Sequence, residues 1–515
     1  MRISFYLDKG ASLGPAAPCL TMDGASLSYA DVVAHSNRVA HALAKAGARP
    51  GDKVAVLSAN DPKAFASVFG IARAGAVWCP INPRNAPSEN RQILADFDCT
   101  VLLFQQAFHE LVETILPDLP ALKMLVCLDG EAAGAPSLAE WLADMPDTPF
   151  PTPPDNDVAM LVGTGGTTGK PKGVLLTDDN LEAMSAIMLM AYPYRDRPVY
   201  LALPPLTHAA GVLTLPVLAK GGEIVIMPKP DLGVFLSLIP RHGVSHTFLP
   251  PTLIYALLAH PDLPRTDLSS LQCFWYGAAP IAPARLEEAI QRIGPVMAQF
   301  FGQTEAPMVC TTMAPADHFK PDGSIDKARL SAAGYPPPLL QLAILDGKDR
   351  PLPPGERGEI AIRGSLVMRG YYKDEAATAQ TLRSGWLHTG DIGYLDADNM
   401  LYIVDRLKDM IISGGFNVYS VEVEQALLEH ADVQDCAVFG LPDEKWGEMV
   451  CAVVQLRAGR NADTEALRTF VKARIGSVKT PKHVEIWPDL PRSKVGKVLK
   501  RDIRAELLAA RSSSA

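Results

Sequence analysis

Hydrophobic and polar positions follow two patterns up to about residue 310: short apolar runs typical of buried strands, and longer segments with apolar residues at helical spacing. The apolar runs predict strands at residues 53–57, 100–104, 124–128, 158–161, 174–176, 199–203, 223–227, 271–276 and 296–300. The helical spacing predicts helices at residues 29–46, 61–75, 181–190, 232–241 and 285–293. Because strands and helices alternate, we expect an α/β fold with a mostly parallel sheet and helices on both faces.

The pattern changes after about residue 335. Short predicted strands separated by Gly, Pro and Asp lie at residues 341–345, 359–363 and 400–404. They indicate a β-rich part over about residues 335–404. A charged link follows at residues 405–410. Beyond it the predicted elements are a helix at 421–428, strands at 436–440 and 450–456, and a helix at 464–475. We therefore expect an N-terminal domain of residues 1–404 and a small α+β domain of residues 411–515.

Composition narrows the class of protein. The chain has 515 residues, 48% of them hydrophobic and 20% charged, as in soluble globular proteins. The net charge of −9 disfavours nucleic acid as a main partner, since that would require a basic face. Eight cysteines without a Cys-x-x-Cys pair predict reduced, mostly buried thiols. No apolar run near the N-terminus resembles a secretory signal, and none elsewhere is long enough to cross a bilayer. We expect a cytoplasmic enzyme, monomeric or homodimeric.

The first candidate for chemistry is the loop at residues 162–173, Val-Gly-Thr-Gly-Gly-Thr-Thr-Gly-Lys-Pro-Lys-Gly, between two predicted strands. Glycines let the backbone approach a ligand closely, and N–H, hydroxyl and ammonium groups bind phosphate. A Walker A loop is excluded, because Thr164 takes the place of its first glycine and Pro171 that of its hydroxyl residue. The dinucleotide fingerprint fails at its third glycine, where Thr168 stands. The loop therefore predicts nucleotide binding of another kind.

Three more segments carry polar chemistry. Residues 299–305, Gln-Phe-Phe-Gly-Gln-Thr-Glu, follow a predicted strand, and open α/β sheets bind ligands at that edge. Residues 386–391, Trp-Leu-His-Thr-Gly-Asp, end in a carboxylate that can accept hydrogen bonds from two hydroxyls. Residues 491–498, Pro-Arg-Ser-Lys-Val-Gly-Lys-Val, are basic. On composition alone, a basic helix start is usually a solvated face, so Lys494 and the nearby Lys500 are expected to lie there.

These segments, in this order, resemble the motifs of the adenylate-forming (ANL) superfamily, which includes acyl-CoA synthetases, adenylation domains of peptide synthetases and luciferases. The chain departs from the family patterns at Gly165, where Ser is common, at Phe301, where Tyr is usual, and at Ser420, where Pro is usual. The resemblance implies a large N-terminal domain of stacked α/β sheets with a β-rich subdomain, a hinge, and a small mobile α+β C-terminal domain. It implies an AMP-forming carboxylate–CoA ligase that uses ATP, Mg²⁺ and coenzyme A.

The resemblance also implies roles for individual residues. Lys497 would promote adenylation, Glu305 would hold Mg²⁺, and His208 would lie beside the substrate carboxylate. Asp391 would bind the ribose hydroxyls, and Arg406 the ribose or phosphates. The implied ATP or AMP ligands are Thr164, Gly165, Gly166, Thr167, Thr168, Gly169, Lys170, Lys172, Gly277, Ala278, Ala279, Phe301, Gly302, Thr304, Asp391 and Arg406.

The remaining implied roles concern the second substrate and the acid. Lys408 would be the hinge about which the C-terminal domain swings. The implied CoA contacts are Ser413, Gly414, Gly415 and Trp446. The implied acyl pocket comprises His208, Ala209, Ala210, Gly211, Gly277, Ala278, Ala279, Gly302 and Met308. These residues are mostly small or apolar, which disfavours a dicarboxylic acid and fits a medium-chain fatty acid or an aryl acid.

Two alternatives remain open at this point. Amino-acid adenylation domains carry a pocket Asp, and residues 207–215 contain none, so an amino-acid substrate is disfavoured. One alternative is an adenylating enzyme that loads a carrier protein; no carrier domain is seen after Lys497. The other is a non-catalytic ATP-binding protein, which would have no need for Lys497, Glu305 and Asp391 together.

Overall fold

The computed structural model describes residues 2–132, 134–153, 157–164, 171–206, 209–414, 416–443, 446–492 and 498–512. Up to residue 153 the elements are α1 (Ile3–Leu13), β1 (Pro18–Met22), β2 (Ala25–Ser28), α2 (Tyr29–Lys45), β3 (Lys53–Leu57), α3 (Pro62–Arg73), β4 (Val77–Ile81), α4 (Pro87–Asp96), β5 (Cys99–Phe104), α5 (His109–Ile115), β6 (Met124–Cys127) and α6 (Leu138–Leu142). The next elements are β7 (Val158–Thr164), β8 (Lys172–Thr177), α7 (Asp178–Ala191), β9 (Val199–Ala202), α8 (Ala209–Ala219), β10 (Glu223–Ile226), α9 (Leu232–His242), β11 (His246–Phe248), α10 (Pro251–Leu258), β12 (Cys273–Tyr276), α11 (Pro283–Ile293), β13 (Met297–Gln303) and β14 (Ala306–Met313).

The remaining elements belong to the β-rich part and the C-terminal part. The β-rich part contains β15 (Gln341–Leu345), β16 (Gly358–Arg363), β17 (Gly370–Tyr371), α12 (Glu375–Thr381), β18 (Leu382–Arg383), β19 (Trp386–Leu395) and β20 (Leu401–Arg406). The C-terminal part contains β21 (Ile411–Ser413), β22 (Phe416–Val418), α13 (Ser420–Leu428), β23 (Val433–Asp443), β24 (Gly447–Leu456), α14 (Thr464–Lys479), β25 (His483–Trp487) and α15 (Lys500–Ser512).

Two large sheets dominate the N-terminal part. One has the strand order β14-β13-β12-β11-β9-β10-β1-β2, and the other has the order β17-β8-β7-β4-β3-β5-β6. Most neighbouring strands are parallel, whereas the pairs β1–β2, β7–β8, β13–β14 and β17–β8 are antiparallel. One large hydrophobic core contains buried residues from both sheets and from α2, α3, α7 and α8. The predicted α/β class with stacked, mostly parallel sheets is confirmed.

Local sequence explains where the helices begin. The Ser28 hydroxyl accepts a hydrogen bond from the Asp31 amide, and the Asp31 carboxylate accepts one from the Ser28 amide, which closes a capping box at α2. Asp61 caps α3 by accepting a hydrogen bond of 2.8 Å from the Ala64 amide. Both N-termini match the predicted ones, because a capping side chain is a local signal that sequence shows directly.

Other elements differ from the prediction. Strand β13 continues to Gln303, beyond the predicted end at residue 300, because it forms a hairpin in which Gln303 lies opposite Ala306. Strand β4 escaped prediction, since Pro80 lies within it and proline is unusual inside a sheet. Helix α1 escaped prediction as well. The extension of β13 matters most, because it places Phe301 and Gly302 inside a strand.

The C-terminal third contains two further sheets. The β-rich part forms a five-stranded sheet of order β15-β16-β19-β18, with β20 paired to β19. Asp405 and Arg406 belong to β20, so the regular structure extends into the segment predicted as a charged link. The last sheet has the order β22-β21-β24-β23, with β25 paired to β24. Its two faces contribute to separate hydrophobic cores, one with α13 and α14 and the other with α15.

Two sequence expectations about the whole chain can be compared with the structure. All eight cysteines are buried, as their number and spacing predicted. Within the part of the chain that the structure describes, no helix has both the length and the apolar character needed to cross a membrane.

Candidate active site

The glycine-rich loop connects the two strands of the β7–β8 hairpin. Thr164 and Lys172 lie opposite each other where the strands part, and the Thr164 hydroxyl donates a 3.4 Å hydrogen bond to the Lys172 carbonyl. A Cβ at Gly173 would lie 2.7 Å from the ring of Phe97, so a larger residue would displace that ring. The hairpin therefore holds the two ends of the loop side by side, with a hydroxyl and an ammonium group at its mouth.

A second hairpin carries the Thr-Glu pair. Strands β13 and β14 are joined by a two-residue turn, Thr304-Glu305, between the paired residues Gln303 and Ala306. A Cβ at Gly302 would lie 2.5 Å from the backbone of Met308, which itself has a positive φ of 64°. Glycine is therefore required at Gly302 for the strands to approach. The close approach brings Gly302, predicted for the nucleotide site, against Met308, predicted for the acyl pocket.

Residues 368–371 join the two hairpins. Tyr371 pairs with Val174 in β8, and the Met368 amide donates a 2.8 Å hydrogen bond to the Glu305 carbonyl. The Tyr371 hydroxyl donates a 2.8 Å hydrogen bond to Glu305 Oε1. Lys172 Nζ lies 4.7 Å from the centroid of the Tyr371 ring. Burial, and then the charge of Glu305, raise the pKa of Tyr371 above its ordinary value, so the phenol stays protonated and donates. Sequence reasoning missed Tyr371, whose local signal is only a Gly-Tyr-Tyr run.

Asp391 is buried in β19 opposite Arg406 of β20. Arg406 Nε lies 3.1 Å from Asp391 Oδ1. The preceding Gly390 has φ +71°, and its amide donates a 3.0 Å hydrogen bond to Glu359 Oε1. The other oxygen of Glu359 lies 2.8 Å from Nδ1 of His388. Glu359 therefore holds the residues on both sides of Thr389, and sequence reasoning missed it.

A cavity of about 600 Å³ connects these parts. Residues that line it include Gln303, Glu305, Glu359, Tyr371, His388, Thr389, Gly390 and Leu407. The structure thus brings Glu305 and the Thr389-Gly390 pair to one cavity, whereas the neighbouring Thr304 and Asp391 are not among the residues that line it. Leu407 begins the connection to the C-terminal part, and its amide donates a 2.9 Å hydrogen bond to the Gly390 carbonyl. The connection predicted as a hinge therefore starts at the cavity, and Lys408 next to it is exposed.

The predicted adenine and acyl residues lie on the neighbouring strand ends. Gly277 follows β12, where a Cβ would lie 2.6 Å from the Phe300 carbonyl. Ala278 has φ +66° and is exposed, while Ala279 and Phe301 are half-buried. On α8, Ala210 is fully buried. A Cβ at Gly211 would lie 2.0 Å from the Leu206 carbonyl and 3.3 Å from the Trp78 ring. Small residues are thus required where α8 begins.

The predicted CoA residues meet in the C-terminal sheet. The Gly414 amide donates a 2.8 Å hydrogen bond to the Trp446 carbonyl, and a Cβ at Gly414 would lie 3.1 Å from the Trp446 ring. Ser413 pairs with Gly447. Lys482 Nζ lies 5.3 Å from the centroid of the Trp446 ring, which places a cation beside this surface.

A charged network links the end of β20 to the C-terminal part. The Ser420 amide and hydroxyl both donate to the Asp405 carboxylate, the hydroxyl at 3.0 Å. Lys500 Nζ donates at 2.7 Å to the Ser420 hydroxyl and lies 2.7 Å from Glu424 Oε1. Proline, the usual residue of the family at Ser420, lacks both donors. The expectation that Lys500 lies on a solvated face is wrong, because its ammonium group is bonded within this network.

Several predicted site residues lie outside the described residues. They are Gly165, Gly166, Thr167, Thr168, Gly169, Lys170, His208, Gly415 and Lys497.

Two family models match this chain. A family model described as "AMP-binding enzyme" matches residues 7–372, and one described as "AMP-binding enzyme C-terminal domain" matches residues 422–497. The medium/long-chain-fatty-acid–CoA ligase FadD8 of Mycobacterium tuberculosis is 36% identical over 95% of this chain and 87% of that protein. A feruloyl-CoA synthase of an Amycolatopsis species is 36% identical over 96% of each protein.

Among solved structures, the amide bond synthetase McbA from Marinactinospora thermotolerans superposes with a TM-score of 0.89. It is 32% identical, and the match covers 98% of this chain and 99% of McbA. The chain therefore belongs to the AMP-binding enzyme family and is an AMP-forming acyl-CoA synthetase of the adenylate-forming (ANL) superfamily.

Proposed function

We propose that this enzyme joins a monocarboxylic acid, either a medium-chain fatty acid or an aryl acid, to coenzyme A in two steps through an acyl-adenylate. The observation that carries the assignment of the site is the cavity that Glu305, Tyr371 and the Thr389-Gly390 pair share. At this cavity Glu305 supplies a carboxylate suited to a metal ion, and Tyr371 contacts Lys172 of the glycine-rich hairpin. Thr389 and Gly390 directly precede Asp391 in β19.

The residues at the cavity fit a magnesium ion bound together with ATP. Mg²⁺ prefers oxygen ligands and is usually held by one or two carboxylates with substrate phosphates and water. Glu305 lines the cavity and supplies such a carboxylate. No group of three or more acidic, His or Cys side chains that could hold a metal occurs among the described residues, so the phosphates would complete the coordination. The ion would neutralise charge on the leaving pyrophosphate.

In the first step an oxygen of the acid attacks the α-phosphorus of ATP, and the bond to the β-phosphate oxygen breaks. Pyrophosphate leaves, and the acyl-adenylate forms. Thr164 and Lys172 would hold the phosphates, and Asp391 with Arg406 would hold the ribose. Lys497 would approach the carboxylate and the α-phosphate and stabilise the charge that develops between them. His208 would lie beside the carboxylate.

In the second step the sulfur of CoA attacks the acyl carbon, and AMP leaves with the oxygen that joined the two. The thiol proton passes to solvent. Residues 411–515 would rotate about Lys408 relative to residues 1–404, withdrawing Lys497 and opening a route for the thiol. The contact of Gly414 with Trp446, with Lys482 beside it, supports a CoA surface here, since it combines a thin backbone, an aromatic ring and a cation.

The class of acid rests on the small residues of the proposed pocket. Gly211, Gly277 and Gly302 each approach neighbouring backbone so closely that no side chain fits. The partly buried Met308 adds apolar surface. The relatives named above include a fatty-acid–CoA ligase and a feruloyl-CoA synthase, which agrees with either an aliphatic or an aryl acid.

The test is AMP release with MgATP and a panel of aliphatic, branched and aryl acids, measured with and without CoA. We expect release that requires both an acid and CoA, with an acyl-CoA product. Release driven by a phosphopantetheinylated carrier protein in place of CoA would favour the carrier-loading alternative. Release driven by an amine would point to amide formation, the activity named for McbA. Absence of acid-dependent pyrophosphate exchange across the whole panel would support a non-catalytic protein.

A further inference from the structure

The ring of Tyr371 lies between two groups of opposite charge. Its hydroxyl donates a 2.8 Å hydrogen bond to Glu305 Oε1. Its face lies 4.7 Å from Nζ of Lys172. Only 9% of Tyr371 is exposed, so water competes weakly for either contact. The Tyr371 side chain therefore donates a hydrogen bond to a carboxylate through its hydroxyl and makes a cation–π contact with an ammonium group through its ring face.

Tyr371 is fixed to the elements that carry both charges. It pairs with Val174, two residues after Lys172 in the same strand. Its amide donates a 2.9 Å hydrogen bond to the Thr378 hydroxyl, and Met368 in the same segment binds the backbone of Glu305. These contacts fix the backbone of Tyr371 relative to the strand of Lys172 and the turn of Glu305.

Lys172 and Glu305 thus contact the same ring, and an ammonium group and a carboxylate that come together attract strongly where water is partly excluded. If they met directly, each would neutralise the other, and neither would be available to a nucleotide. We propose that Tyr371 is a positioning residue that keeps Lys172 and Glu305 apart, leaving the ammonium group for a phosphate and the carboxylate for the metal ion of the bound nucleotide. This inference rests on the proposed function, since it requires the cavity to bind MgATP.

The next residue offers a matched control. The Tyr372 hydroxyl donates a 2.6 Å hydrogen bond to Asp98 Oδ2, and its ring lies 4.9 Å from Nζ of Lys53 and 5.3 Å from Nζ of Lys373. Tyr372 therefore also contacts a carboxylate through its hydroxyl and lysine ammonium groups through its ring. Tyr372 is absent from the lining of the cavity among the described residues.

The experiment measures ATP binding by calorimetry in EDTA and across a Mg²⁺ titration, for the wild type, Tyr371→Phe, Tyr371→Leu and Tyr372→Phe. Loss of a hydrogen bond to a charged group predicts that Tyr371→Phe raises the Mg²⁺ concentration for half-saturation about tenfold. Its ATP affinity in EDTA should stay close to the wild-type value, because the ring still faces Lys172. Tyr372→Phe should match the wild type in both measurements. Thermal unfolding of each variant identifies any that fail to fold.

A second substitution tests the separation of charges directly. Removing the ring in Tyr371→Leu lets Lys172 and Glu305 pair, so ATP affinity in EDTA should fall about tenfold. Adding Glu305→Gln to Tyr371→Leu removes the competing carboxylate. The ATP affinity in EDTA should then return to within about twofold of the wild-type value.

The outcomes separate this inference from the proposed function. If the wild type binds MgATP and Tyr371→Phe behaves like Tyr372→Phe, the positioning role is overturned while the proposed function stands. A double variant no better than Tyr371→Leu would likewise overturn the separation of charges. If the wild type binds no MgATP, the proposed function fails, and this inference falls with it.

Discussion

Arg406 and Asp391 face each other across the paired strands β19 and β20, with Arg406 Nε 3.1 Å from Asp391 Oδ1. Asp391 is 4% exposed, whereas the Arg406 side chain is 46% exposed. Arg406 therefore contacts a buried carboxylate through Nε while nearly half of its side chain stays exposed to solvent. This arrangement suits binding of a ribose by Asp391 and of a nearby phosphate by Arg406.

From this pair we expect Asp391→Asn to raise the KM for ATP about thirtyfold, since a buried charged acceptor is lost. The change should affect KM for ATP much more than KM for CoA, and steady-state AMP release measures both. A suitable control is Asp346→Asn, because Asp346 also pairs with an arginine, Arg350 at 2.7 Å, in a turn of the β-rich part. Equal changes in the two variants would contradict the ribose assignment.

A second prediction concerns Glu359. Glu359→Ala leaves the Gly390 amide and His388 Nδ1 without the carboxylate that now lies within 3.0 Å of each. We expect the KM for ATP to rise about tenfold, because the Thr389-Gly390 segment loses its support. Glu359→Gln keeps an acceptor oxygen for the Gly390 amide and should raise the KM for ATP less than Glu359→Ala does.

The control for Glu359 is a carboxylate that also accepts a backbone hydrogen bond. Asp463 caps helix α14 by accepting a 3.2 Å hydrogen bond from the Ala466 amide. Asp463→Ala should lower the unfolding temperature without changing the KM for ATP. If Glu359→Ala lowers stability alone, with KM for ATP unchanged, Glu359 has no positioning role.

The motifs that sequence revealed and those it missed differ in physical kind. Asp391 follows Gly390 and Glu305 lies three residues after Gly302, both in short segments after apolar runs, and such local patterns are visible without a structure. Tyr371 meets Glu305 across 66 residues, and Glu359 meets His388 across 29 residues. Both contacts depend on strand pairing between distant segments, which periodicity alone does not determine.

Lys500 shows that sequence patterns can also assign a bonded residue wrongly to a solvated face. A lysine in a basic segment at a helix start is usually solvated, and composition offers no reason to expect otherwise. In the structure its ammonium group meets Ser420 and Glu424, which lie 80 and 76 positions earlier in the chain. The fold class, in contrast, was predicted correctly, because the alternation of strands and helices extends over hundreds of residues.

A third prediction follows from this network. Burial raises the pKa of Glu424 and of Asp405, and Lys500 partly offsets this effect in both. Burial alone would lower the pKa of Lys500, but the charges of Glu424 and Asp405 outweigh it and hold that pKa above its ordinary value. Lys500→Met should therefore destabilise the fold by about 2 kcal/mol at pH 8, since it leaves the carboxylates without their cation.

The pH dependence of that variant has a defined sign. A carboxyl group whose pKa is raised in the folded state favours folding at low pH, and this contribution is lost as pH rises through the folded pKa. Without Lys500 the pKa of Glu424 rises further above 4.5, its ordinary value. The deficit of Lys500→Met, measured by urea unfolding, should thus be larger at pH 8 than at pH 5. Equal deficits at the two pH values would contradict the network.

Helix α13 supplies the control for Lys500. Glu429, at the end of this helix, pairs with Arg474, and their side chains are 59% and 38% exposed. Because solvent screens this pair, Arg474→Met should cost about 0.5 kcal/mol or less and show little pH dependence.

A fourth prediction separates the two proposed half-reactions. Lys497→Ala should lower acyl-adenylate formation about a hundredfold or more, because a cation no longer stabilises the charge at the α-phosphate. Thioester formation from supplied acyl-adenylate should remain close to the wild-type rate. Lys494→Ala, in the same basic segment, is the control and should leave both half-reactions intact. Equal loss of both half-reactions in Lys497→Ala would exclude the proposed role.

The acyl-adenylate intermediate is tested most directly by following oxygen atoms. The enzyme is given MgATP, CoA and an accepted acid whose two carboxylate oxygens are ¹⁸O, and the products are analysed by mass spectrometry. We expect one ¹⁸O in AMP and one in the carbonyl of the acyl-CoA, with pyrophosphate unlabelled. An AMP without label, or the formation of ADP and phosphate, would contradict a reaction through an acyl-adenylate.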